Sequence, residues 1–198
     1  EEECKRVIVM GDSHAMHFGP FIEQLVKQAP GYKLHSDAIP VCLPLYDIIQ
    51  VFQREEDFFE RQLHCRKLIE DSFNGIDESV KYYVLGGYWS NMDIHASRNF
   101  IIDDVSEEMS RNNTLRAREA AFHRTLDLLI EKRVTPVIIM DNPKLSELTL
   151  KCSHKKAMFG TVEENCDLER AYVVDQQRDI RQLLSLIHIS EPTRHECI

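Results

Sequence analysis

Three consecutive polar residues, Asp12, Ser13 and His14, follow a glycine at the end of a short apolar run, Val7-Ile8-Val9-Met10-Gly11. A helical pattern begins at once behind them, with Phe18, Phe21, Ile22, Leu25 and Val26 at three- and four-residue spacing. A strand that breaks into a tight turn and feeds a helix sets its turn residues at the carboxyl edge of a sheet, where open α/β sheets bind ligands. A serine there also has its backbone N–H near a helix N-terminus, whose partial positive charge favours a developing oxyanion. Ser13 is therefore a candidate nucleophile. The simpler alternative is that Asp12 and Ser13 only cap the helix.

Gly11-Asp12-Ser13-His14 behind an apolar strand resembles block I of the SGNH/GDSL hydrolases. The longer run through Ala15-Met16 resembles the SGNH domains fused to membrane acyltransferases of the acyltransferase-3 type. The resemblance implies a Ser13 nucleophile, with Gly11, Asp12 and His14 supporting its turn. It further implies an acyl donor and a carbohydrate acceptor, O-acetylation of cell-surface polysaccharide, and no cofactor or metal. The parent protein would carry a membrane acyltransferase domain on the N-terminal side, with this domain periplasmic or on the extracytoplasmic face of a bacterial membrane.

Two family positions depart from pattern. The oxyanion-donating glycine expected after the second strand is absent from the Pro40-Val41-Cys42-Leu43-Pro44 stretch. Block III, commonly Gly-x-Asn-Asp, is replaced by Gly86-Gly87-Tyr88-Trp89-Ser90-Asn91, which resembles the Trp-Ser signature of the acyltransferase-linked subgroup. Trp89, Ser90 and Asn91 are thus oxyanion or pocket candidates. Asn91 is an oxyanion donor or a turn residue, and Trp89 a pocket wall or core.

Positioning these residues takes a sheet. Residues 6 to 10, 32 to 39, 80 to 85 and 134 to 140 read as strands, and residues 16 to 28, 50 to 73, 115 to 132 and 169 to 183 as helices. Residues 93 to 114 and 144 to 165 read as loops. In the second of these, Lys151, His154, Lys155 and Lys156 form a basic cluster, either solvated or attractive to an anionic glycan. Asn112-Asn113-Thr114 matches a glycosylation sequon. The alternation predicts a three-layer α/β/α fold with a mainly parallel sheet, flavodoxin-like, over residues 1 to 183.

A net charge of −9 argues against nucleic acid or an anionic membrane surface as partner. No apolar run has the length of a membrane helix. The six cysteines form no Cys-x-x-Cys pair, which disfavours zinc. Cys42 with Cys65, and Cys152 with Cys166, have spacings that allow disulfides, and SGNH domains of the resembling subgroup carry cysteines in similar places; the alternative is that they are small buried apolar residues.

An activated serine needs a base, and in SGNH proteins it comes late in an Asp-x-x-His segment. That spacing is not found here: Asp175 and Asp179 have no histidine three residues on. Leu184 to Arg194, Leu-Ser-Leu-Ile-His-Ile-Ser-Glu-Pro-Thr-Arg, resembles the one-frame translation of a transposase adapter used in sequencing libraries. Residues 184 to 198 are therefore expected to be a non-native tail, the domain to be C-terminally truncated, and His188 and His195 to have no catalytic role. The fragment is expected to be inactive. A competing reading is a non-catalytic glycan-binding module of SGNH shape; a receiver-type signalling domain lacks its acidic residues here.

Overall fold

A computed structural model describes residues 4–52, 58–89, 99–104, 106–140, 147–160 and 170–186. The chain divides into two compact units, Glu1–Asp141 and Asn142–Ile198.

The first unit is built on a four-stranded parallel sheet. Its strands are β1 (Lys5–Gly11), β2 (Tyr32–Ala38), β4 (Val80–Gly86) and β6 (Thr135–Ile139), in the order β2-β1-β4-β6. The remaining two, β3 (Ile49–Phe52) and β5 (Asn99–Ile102), form a separate antiparallel pair. Val7 to Met10 are all buried, as a central parallel strand covered on both faces requires. β2 lies at the edge and is only half-buried, which is why its apolar residues alternate with Lys33, His35 and Ser36.

Helix α1 (Ser13–Lys27) covers one face, packing Ala15 and Ile22 against Val7, Val9 and Val84. The other face meets α2 (Phe58–Asn74), whose Phe73 ring lies 4.8 Å from that of Tyr83. Helix α3 (Arg111–Glu131) buries Ala117, Ala121, Phe122, Leu126 and Leu129. A disulfide joins Cys42, in the loop after β2, to Cys65 on α2. The second unit holds α4 (Glu147–Phe159), α5 (Arg170–Gln176) and α6 (Arg178–Leu186), with Ile180 and Leu183 buried on α6.

Several local expectations need correction. Ile49 to Phe52 are strand, not the start of a helix; Ile49 and Val51 are buried against Ile102 in the β3–β5 pair. β-branched residues in a short run suit that pleated surface, and the apolar spacing alone did not separate the two cases. The stretch expected to be a loop over 93 to 114 contains β5 and the first turn of α3. Residues 147 to 159 are helical rather than loop, so Lys151, His154, Lys155 and Lys156 are exposed positions on α4. The last helix is broken at Gln177 into α5 and α6. The sequon lies inside α3, where Thr114 is buried and its Oγ1 accepts the Ile101 N–H; that setting offers no acceptor loop for a glycan.

Candidate active site

Ser13 is the first residue of α1 and is exposed at the carboxyl edge of β1. The residues around it explain its position. A Cβ added to Gly11, whose φ is +155°, would lie 1.7 Å from the carbonyl oxygen of Gly86, so only glycine permits β1 and β4 to approach here. A Cβ on Gly86 would in turn lie 3.0 Å from that of Ala15. Gly11, Ala15 and Gly86 thus let the helix start flush against two strand ends.

Asp12 is the N-cap of α1 and is almost wholly shielded from solvent, at 5% relative exposure. Its Oδ1 accepts the His14 N–H at 2.8 Å, and its Oδ2 accepts the Tyr88 N–H at 2.8 Å. The carboxylate therefore caps the helix and also ties the turn to the loop after β4. The His14 imidazole stacks on the Tyr88 ring, with centroids 4.6 Å apart and planes within 9°. The stack holds the His14 ring against the loop after β4. Tyr88 is the residue that sequence reasoning missed. Its one signal is its place directly after Gly86-Gly87, where the chain must pass close to the first turn.

Trp89 is core. It is 2% exposed, its Nε1–H donates to the Ile139 carbonyl at 2.7 Å, and its ring packs on Phe122 at 5.4 Å. It anchors the β4 loop to β6 from within. Ser90 and Asn91 lie outside the described residues.

The loop after β2 holds a further correction to a simple motif search. It has no glycine, yet Val41 has φ +73°, the left-handed region that glycine ordinarily supplies. The Ile39 N–H donates to the Gly11 carbonyl at 2.7 Å, and Leu43 and Pro44 pack against Gly87. This loop, pinned by the Cys42–Cys65 disulfide, therefore adjoins both Gly11 and the β4 loop. Cys152 is also disulfide-bonded; its expected partner Cys166 lies outside the described residues. Cys4 is a free thiol. Among the described residues no group of three His, Cys, Asp or Glu side chains is arranged to hold a metal.

The arrangement offers an exposed hydroxyl at a helix N-terminus, with a buried carboxylate bracing its turn. A family model described as "SGNH domain (fused to AT3 domains)" matches residues 1–195. The chain belongs to this SGNH family. Its fold agrees with that of a solved structure, the periplasmic domain of a lipopolysaccharide acetyltransferase from Salmonella ser. Paratyphi A. The two share 12% identity at a TM-score of 0.58, over 94% of this chain and 65% of that one. The SGNH chain thus spans about two thirds of the neighbour's length, and at this identity the likeness establishes the fold alone. No curated protein matches the chain. Among the described residues of this SGNH domain no helix is long and apolar enough to cross a membrane.

Proposed function

We propose that this SGNH domain works in serine acyl transfer, as part of a system that O-acylates cell-surface polysaccharide. In a form that carries an Asp-x-x-His segment, its histidine takes the Ser13 hydroxyl proton as Oγ attacks an acyl carbonyl and passes it to the leaving group, and the tetrahedral oxyanion is stabilised by the Ser13 N–H at the start of α1. Collapse expels the donor's leaving group and leaves an acyl-serine. A sugar hydroxyl or water then attacks this ester and regenerates Ser13. The observation that carries the reading is the exposed Ser13 on a turn held by both oxygens of Asp12. The disulfides support an extracytoplasmic location, since such bonds persist in oxidising compartments. The family's fusion to AT3 domains supports a membrane acyltransferase partner.

We also propose that the 198-residue chain is itself inactive, because it contains no Asp-x-x-His and a serine without its base loses orders of magnitude in rate. The stretch from 184 to 198 is proposed to be non-native. The test is hydrolysis of p-nitrophenyl acetate by the chain and its Ser13→Ala variant. Equal, background rates are expected, and Ser13-dependent turnover overturns the inactivity. A form extended with an Asp-x-x-His segment is expected to gain a rate that Ser13→Ala lowers by about a thousandfold. If Ser13→Ala leaves the rate of the extended form unchanged, Ser13 is not the nucleophile.

A further inference from the structure

A cleft of about 480 Å³ lies on the face of the sheet opposite α1, between edge strand β2 and helix α2. It exists because α2 is packed over the inner strands through Phe73 and Tyr83, leaving β2 uncovered on that side. The α2 residues that face the gap include the small Ser72, with Gly75 just beyond the helix end. A Cβ at Gly75 would meet only the carbonyls of Asp71 and Ser72, at 3.4 and 3.5 Å. The cleft extends to Ile39 at the carboxyl edge, where the Ile39 N–H is bonded to Gly11, two residues before Ser13.

Its polar groups select a ligand class. Asp37 on β2 accepts the Ser72 hydroxyl proton at 2.6 Å and pairs with His35 Nε2 at 2.8 Å. Since the Ser72 proton goes to Asp37, the buried Tyr83 hydroxyl donates to Ser72 Oγ at 2.9 Å. Asp71 adds an exposed carboxylate from the opposite wall. The cation in the lining, Arg6, is already paired with Asp77 at 2.7 Å and bonded to Ser79 at 2.7 Å. An anionic ligand would meet two carboxylates with no unpaired guanidinium to offset them. A wholly apolar ligand would strip water from those carboxylates without replacing its hydrogen bonds. A hydroxyl both donates and accepts, so a polyol can donate to the exposed Asp71 carboxylate and to the lone pairs of Asp37 that Ser72 and His35 leave over, and accept from the exposed Ser36 hydroxyl, while the half-buried Leu68 meets the C–H face of a ring. The volume is in the ordinary range for a small-molecule site, roughly 300–1,000 Å³.

We infer that the cleft between β2 and α2 binds a hexose-sized unit of a neutral saccharide, as a subsite for the acceptor chain whose reacting end is presented to Ser13. The role of that sugar rests on the acyl-transfer reading, but its binding does not need turnover. The test is an NMR titration of the ¹⁵N-labelled 198-residue chain with maltotriose and mannotriose, and with trigalacturonate as the anionic comparison.

Neutral sugars are expected to shift the amides of Ser36, Asp71 and Gly75, with trigalacturonate weaker. Asp71→Asn with Ser36→Ala should weaken binding about tenfold, as weakening one hydrogen bond and losing another implies. Gly75→Trp, which fills the cleft, should abolish it, and Ser13→Ala should leave it unchanged. Circular dichroism confirms that each variant is folded. Shifts centred on residues 11 to 14, no shifts with either neutral sugar, or equal binding of trigalacturonate would overturn the subsite. Any of these leaves the Ser13 hydrolysis test standing on its own.

Discussion

The Asp12 carboxylate accepts the Tyr88 N–H at 2.8 Å across 76 residues of sequence, while its other oxygen caps α1 through His14. One buried side chain thus sets where the helix begins and where the β4 loop passes. Asp12→Ala removes the cap and leaves a partly buried N–H unpaired. Adding about 1 kcal/mol for the cap to about 1–3 for the orphaned donor predicts a loss of roughly 2–4 kcal/mol. Urea denaturation measures it. Asp12→Asn keeps one acceptor oxygen and is expected to lose less than half as much.

Gly11 and Gly19 make a paired test of what glycine does here. A Cβ at Gly11 collides with the Gly86 carbonyl, whereas one at Gly19, inside α1, meets nothing within 4 Å. Gly11→Ala is expected to destabilise by about 3 kcal/mol or more, because the backbone of two central strands must separate. Gly19→Ala should change stability by less than about 1 kcal/mol, because its gain in helix propensity is opposed by the ring of Pro20, which disfavours a Cβ on the helical residue before it. Thermal melts that fall equally for both would contradict this account.

The Cys42–Cys65 bond closes a loop of sequence separation 23. On the chain-entropy model, removing it costs about 3 kcal/mol. The Cys42→Ser, Cys65→Ser double variant should show that loss in its denaturation midpoint. Its largest amide shifts should fall in residues 39 to 45 and at Gly87, which that loop touches.

Burial is the main cause that pushes the Tyr83 phenol above its ordinary value of about 10; its bond with Ser72 acts the other way. A group whose folded pKa is raised contributes stability that is intact below the unfolded pKa and lost as pH climbs past it. The chain should therefore lose stability above about pH 10 that a Tyr83→Phe variant does not lose. At pH 7 that variant, which leaves Ser72 without its donor, should be less stable by about 1 kcal/mol. Urea midpoints of the two proteins at pH 7, 9 and 11 should converge with rising pH; a gap that stays constant would show that burial of Tyr83 has no linked proton.

The strands over Val7–Met10 and Val80–Leu85, the helix behind Ser13 and the Gly-Asp-Ser-His turn were legible because local chemistry dictates them. Buried parallel strands are continuous apolar runs, and a cap residue must precede its helix. The β3–β5 pair was not legible. Ile49 and Val51 become strand residues by pairing with Ile102 and Phe100 some fifty residues away, and a short apolar run carries no mark of that partner. Trp89 shows the same limit: its type fits a pocket wall or a core, and the hydrogen bond to Ile139 on another strand makes it core.

The amino-acid sequence by itself therefore determined the family, the parallel α/β plan and the place of Ser13 in the turn after β1, since these rest on residues adjacent in the chain. Only the tertiary structure decided that Asp12 grips Tyr88, that Val41 takes a glycine-like backbone, and that β2 and α2 leave a polar cleft between them. Those facts depend on contacts between residues far apart in sequence, and the distances and open volumes they create appear only when the sheet is assembled.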